Sequence, residues 1–273
     1  MCSEVGNVGK LIGRTEELAR LRAAILARSS LLVCGRAGAG KTALMEEAIS
    51  GLPPLTRRKC VVCNTSENPR AIWRHLIRSL AERDDPQVMM RVQQECGRAD
   101  GLDRWLNEQS SLRLRGILRR AMRANEYWVF FDTAAPLPDG VYRLLQEWVW
   151  SRRTPVILLG RGSTEQQLGK VARLFWHSGL RLELGAMRPT DLETLLECSI
   201  VRLNLTELAD SEFRNFLLEH AAGLPGRIVR LCELASQSAY QWHGQIKLHM
   251  LAVDFLMEDA DGPRGLRRAN HHA

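Results

Sequence analysis

The chain has 273 residues, enough to bury a full hydrophobic core, and its size suggests one large domain carrying at most a small one. A hydrophobic fraction of 45% beside a charged fraction of 25% is that of a folded globular protein and excludes the disordered and fibrous classes. No apolar run nears the roughly 18 residues that would cross a bilayer. Glu4 stands where a signal peptide would begin its apolar stretch, so the chain is expected in the cytoplasm and away from membranes. The net charge of +7 comes mostly from arginine, which suits a polyanionic partner and equally a plain solvated surface. Seven cysteines, odd in number and scattered, read as reduced thiols. Cys60 and Cys63 lie three apart in a strand-like run, where they point to opposite faces, and no second pair completes a zinc site.

Five short apolar runs recur in chain order, Leu31 to Cys34, Cys60 to Cys63, Trp128 to Phe131, Val156 to Leu159 and Leu180 to Leu184. Each is too short for a buried helix, and helical patterns separate them, so they predict five strands of a parallel sheet in a three-layer α/β fold. Lys41 to Ser50 reads as a helix stopped by Gly51 and the pair Pro53 and Pro54. The sixty or so residues between the second and third runs exceed any ordinary loop, and Ile72 to Leu80 and Leu112 to Met122 carry helical periodicity there. Val141, Leu144, Leu145 and Trp148 recur at helical spacing between the third and fourth runs. Beyond Gly185 the strand signals stop. Thr190 with Glu193 has the pattern of a capping box, and helices are expected over Phe213 to Ala221, Ile228 to Ala235 and Leu248 to Met257. The predicted organisation is an α/β domain over 1–188, an all-helical lid over 189–258 and a mobile basic tail over 259–273.

Gly35-Arg36-Ala37-Gly38-Ala39-Gly40-Lys41-Thr42, followed by Ala43, fits the pattern G-x-x-x-x-G-K-[ST] between a strand and a helix. Glycines let backbone N–H groups turn toward phosphate oxygens, and the helix N-terminus adds unpaired donors and partial positive charge. Lys41 is then expected to reach the β- and γ-phosphates of ATP, and Thr42 to offer its hydroxyl to Mg²⁺. Trp128-Val-Phe-Phe-Asp132 places a carboxylate at the end of an apolar strand, where Asp132 is expected to hold the Mg²⁺ shell from a strand neighbouring the loop. Lys41 and Asp132 are the catalytic candidates here, with Thr42 and Asp132 as metal ligands.

With these motifs in order, the chain resembles the AAA+ superfamily, and within it the group shared by origin initiators, signal-transduction NTPases and regulators of DNA transposition. Leu11-Ile12-Gly13-Arg14-Thr-Glu16-Glu17-Leu18 is similar to the segment whose backbone lies against the adenine in that family, which implicates Ile12 and Gly13. Leu158-Leu159-Gly160-Arg161 ends the fourth run where the family has its sensor-one position, and Arg161 there is similar to the signal-transduction branch. Arg173, in Lys170-Val-Ala-Arg-Leu, is placed like the arginine that reaches a neighbouring subunit's γ-phosphate; a surface arginine on an amphipathic helix is the competing reading. Gly223-Leu-Pro225-Gly-Arg227 resembles the lid motif that brings Pro225 and Arg227 toward the nucleotide, although a helix-opening turn with an exposed arginine would read the same. Thr133 stands where many P-loop ATPases carry a second acid, and a hydroxyl cannot act as a base near neutral pH, so slow hydrolysis is expected.

The resemblance implies a homo-oligomer that assembles on ATP binding. At this length a core and a lid are expected, without the winged-helix or effector domains that initiators and large signalling NTPases append. One helix carries Arg113, Arg115, Arg119, Arg120 and Arg123, a candidate contact for duplex DNA, to which Arg264, Arg267 and Arg268 could add charge. Their spread around the helix also fits a solvated face. Two functions stay open at this point, an ATP-driven assembly switch on DNA and a switch that docks a partner protein with little turnover.

Overall fold

The computed structural model describes residues 11–96, 101–132, 137–152 and 154–261. The chain divides into two compact units. One runs through Ala37 and from Lys41 to Gly185; the other takes Gly38–Gly40 and runs from Ala186 onward.

In the first unit, α1 (Thr15–Leu26) leads to β1 (Leu31–Gly35), α2 (Lys41–Ser50), α3 (Pro54–Arg58) and β2 (Cys60–Cys63). Among the described residues four α-helices follow before the next strand: α4 (Pro69–Ala81), α5 (Pro86–Cys96), α6 (Leu102–Glu108) and α7 (Ser111–Asn125). Then come β3 (Trp128–Asp132), α8 (Asp139–Ser151), β4 (Val156–Arg161), the short helices α9 (Glu165–Leu168) and α10 (Lys170–Leu174), and β5 (Arg181–Leu184). The five strands form one parallel sheet in the order β2-β3-β4-β1-β5. This is the expected three-layer α/β fold, with all five strands where the apolar runs put them.

Period-two alternation explains how a strand serves two layers. Leu32, Val61, Cys63, Val129, Phe131 and Leu158 look to the face covered by the inner stripes of α4, α7 and α8. Leu31, Val33, Cys60, Trp128, Phe130, Ile157 and Leu159 are buried as well, so both faces of the sheet are dry. The described residues between β2 and β3 are mostly packed helices, and several have a local start signal. Asn68 caps α4 by accepting from the Ala71 N–H at 2.9 Å, with Pro69 in the first turn, and Ser110 caps α7 through the Arg113 N–H at 3.3 Å. Buried Asp85 accepts from the Val88 N–H, from Asn125 and from the Tyr127 hydroxyl at 2.7 Å, tying the start of α5 to the end of α7; this burial and the facing carboxylate raise the Tyr127 phenol.

In the second unit, α11 (Pro189–Arg202), α12 (Ser211–Ala221), α13 (Pro225–Ala235) and α14 (Leu248–Asp261) share a core of Leu192, Leu196, Phe213, Leu217, Ile228 and Leu251. Two expectations are corrected here. The unit is not wholly helical, because β6 (Gln241–Trp242) and β7 (Gln245–Ile246) pair as an antiparallel hairpin. Its turn, His243-Gly244, has both φ angles positive, at 47° and 77°, as a two-residue hairpin requires, and strands this short leave no alternation in the sequence. The capping box at Thr190 does not form: Pro189 opens α11, Arg188 is its N-cap, and Thr190 lies within the first turn, where its carbonyl accepts from the Thr194 hydroxyl. The fixed φ of proline begins the helix before threonine can cap it. The predicted tail from 262 onward lies outside the described residues, whereas α14 continues to Asp261.

Candidate functional site

The loop between β1 and α2 is built by glycine. Gly38 and Gly40 have φ of 79° and 89°, a region side chains disfavour, and Ala39 between them is buried. Lys41 opens α2 with its side chain folded inward, Nζ donating to Gly35 O and Arg36 O at 2.8 Å each. At 9% exposure it is a nearly buried cation. Burial lowers its pKa from 10.5; the charge of Arg161 lowers it further, and Asp132 acts in the opposite direction.

Thr42 points the other way. Its Oγ1 donates to Asp132 Oδ2 at 2.9 Å, which joins the first turn of α2 to the end of β3. Here the sequence expectation needs adjusting, since β3 is not the neighbour of β1: β4 stands between them. Parallel registration carries Asp132 to the same edge, because Asp132 pairs with Leu159 and Gly35 with Arg161 across β4. Brought together at one sheet edge are therefore a lysine, a hydroxyl, a carboxylate and the Arg161 terminus of β4. A hydroxyl and a carboxylate oxygen converging beside a lysine are hard oxygen donors suited to Mg²⁺ and a triphosphate, so these residues fit the group that the motif implies.

Other predicted residues are less closely engaged. Arg36, Ala37 and Ala43 are exposed, and Ile12 and Gly13 are half-buried, with Gly13 at φ 68°. Arg173 is exposed on α10, whose other face is buried through Val171, Ala172 and Leu174. In the second unit Pro225 is buried at the start of α13, while the Arg227 guanidinium lies 5.8 Å over the Phe255 ring and donates to His220 O at 3.4 Å. Thr133 lies outside the described residues.

Sequence reasoning missed two groups. A cavity of about 570 Å³ beside Thr42 and Asp132 is also lined by Glu46, Asn64 and Arg57. The signals were present, since Glu46 is one helical turn past Thr42 and Asn64 directly follows β2. Arg14 is the second miss. It is buried, donating to Gly185 O at 2.6 Å and pairing with Glu17 at 2.7 Å, so it clasps the start of α1 to the end of β5.

The fold and loop define a P-loop ATPase class, and residues 10–175 match the family model described as an AAA ATPase domain. The chain belongs to that family. No curated protein sequence matches it. Among solved structures it is similar to the Walker-type ATPase PABY2304 of Pyrococcus abyssi, at 15% identity and a TM-score of 0.58, covering 95% of this chain and 77% of that one. It is also similar to Cdc6p from Pyrobaculum aerophilum, at 14% identity and TM-score 0.58, covering 88% of this chain. The chain spans 64% of that protein's length. The Aeropyrum pernix Orc1 protein, solved in complex with DNA, aligns at 16% identity and TM-score 0.61, covering 93% of this chain and 68% of that one. At these identities the likeness speaks for the fold. Among the described residues no helix is long and apolar enough to cross a membrane.

Proposed function

We propose that this protein is an ATP-binding assembly switch of the initiator and transposition-regulator kind, acting on DNA with slow turnover. The observation that carries the nucleotide part is the Thr42–Asp132 hydrogen bond beside the inward-folded Lys41. In this reading the backbone from Gly35 to Gly40 cradles the phosphates, Lys41 exchanges its two carbonyl partners for phosphate oxygens, and Thr42 and Asp132 hold Mg²⁺. Bound Mg²⁺ supplies charge neutralisation at the transferring phosphoryl group. Ile12 and Gly13 contact the base. Arg161 faces the phosphate end of the site. Arg173 acts on a neighbouring copy's nucleotide, which ties hydrolysis to assembly. The DNA part draws on the fold shared with an Orc1 protein solved with DNA and on the arginine excess of the chain.

Thr133 favours a second reading, a protein-docking switch that binds ATP with little turnover. Steady-state ATP turnover with and without duplex DNA, with Lys41→Ala as the blank, separates the two. Stimulation by DNA is the expected result. Tight ATP binding with no turnover in either condition supports the protein-docking switch instead.

A further inference from the structure

The arginines of α7 read as scattered in sequence but are sorted by the fold. Arg113 pairs with Glu95, and Arg120 lies off to one side of the helix. Arg115, Arg119 and Arg123, four residues apart, form a stripe with steps of about 6 Å along the helix axis. They line one wall of a groove whose opposite wall is α8, through Glu147 and Trp148, with Trp73 of α4 also lining it. Among the described residues Glu147 is the only carboxylate lining this groove, and it is bonded to Arg115 at 2.8 Å. Among the described residues the side chains of Arg119 and Arg123 have neither an ion pair nor a hydrogen bond, although they sit on a helix anchored by the buried side chains of Leu114, Ile117, Leu118 and Met122.

We infer that the groove between α7 and α8 is a contact site for the phosphodiester backbone of duplex DNA, with Arg119 and Arg123 each engaging a phosphate. The inference rests on the DNA reading above and gives it a location apart from the nucleotide loop. Two uncompensated guanidiniums on a rigid support are matched by a polyanion whose charges recur along one strand. The cavity within the groove is about 70 Å³. That is room for about two waters, or for phosphate oxygens in their place, and too little to admit a base. Trp73 and Trp148 are half-buried and pack against the core, Trp148 with its ring centroid 6.0 Å from that of Phe131. Contact of this kind positions the duplex without reading its sequence.

The test is a salt titration of the full-length protein with ATP and a labelled duplex, read by fluorescence anisotropy. Each phosphate contact contributes about 0.9 to the slope of log affinity against log salt, so the double variant Arg119→Gln/Arg123→Gln should flatten the slope by about 1.8. Its affinity at low salt should fall at least about tenfold. Arg119→Lys/Arg123→Lys keeps the charges and should retain most of the slope. Arg104→Gln, an exposed arginine paired with Glu108 on α6, is the control that should leave the slope unchanged. ATP affinity and the unfolding midpoint should stay at wild-type values in all three. An unchanged slope in the glutamine double variant overturns the groove assignment and leaves the DNA reading intact. Absence of salt-dependent binding by the wild-type protein overturns both. Tighter retention of a single strand of equal length, lost in the same variant, overturns the duplex assignment.

Discussion

Lys41 and the arginines of α7 are cations of the same chain held in opposite ways. Lys41 is nearly buried, fixed by two backbone carbonyls and pushed toward deprotonation by its surroundings. Arg119 and Arg123 stand in solvent on a helix that is rigid underneath them. The first arrangement is tuned to a single anion in one geometry, because an enclosed charge interacts strongly and tolerates little displacement. The second suits a repeating anion in many registers, since exposed charges are screened and cost little to leave unpaired. Enclosure also makes the loop depend on the sheet beneath it, whereas the stripe on α7 depends on one helix.

That difference can be broken at its base. Phe131, fully buried one residue before Asp132, supports the sheet edge that presents the carboxylate. Phe131→Ala should lower stability by about 3–5 kcal/mol in urea unfolding. Lys41→Ala comes next, with ATP affinity falling about a hundredfold by calorimetry while the fold persists, given the strength of charged hydrogen bonds. Its pH dependence sharpens the contrast. Because the folded chain holds Lys41 below 10.5, the unfolded chain binds more protons between the lowered value and 10.5. Stability without nucleotide should therefore rise with pH through that window, while the stabilisation conferred by ATP should shrink as Lys41 loses its charge. Arg14→Ala should cost about 1–3 kcal/mol in the same unfolding assay by orphaning Gly185 O and Glu17. The smallest effect is expected at Glu147→Gln, which breaks an exposed pair with Arg115 and should change stability by less than about 1 kcal/mol.

The sheet was legible because buried parallel strands are written as short apolar runs, and Lys41 to Ser50 began and ended as its glycine, proline and loop signals implied. The loop lysine, its hydroxyl neighbour and Asp132 were legible through spacing alone, although the intervening β4 was not, since strand order depends on helix crossovers that the local sequence does not encode. The β6–β7 hairpin escaped because two residues per strand carry no periodicity, and the start of α11 was misread because proline overrode a capping pattern. Glu46 and Asn64 were passed over although one lies a helical turn past Thr42 and the other directly after β2, because the cavity they line at Thr42 is assembled from segments apart in sequence. The grouping of Arg115, Arg119 and Arg123 could have been read from their four-residue spacing, but the wall they face belongs to α8.

The Arg14 clasp has a mechanical consequence. Its guanidinium ties the residue that precedes α1 to the carbonyl that follows β5, so the opening helix and the last strand of the first unit share one fastening. Arg20, donating to Arg181 O at 3.1 Å, ties the same helix and strand, so loosening at one place weakens the hold on the other. Amide exchange at Leu18, whose N–H donates to Arg14 O, and along β5 should thus proceed as one opening event with a common rate, and a protease that cuts beside Gly185 should speed exchange at the far end of the sequence.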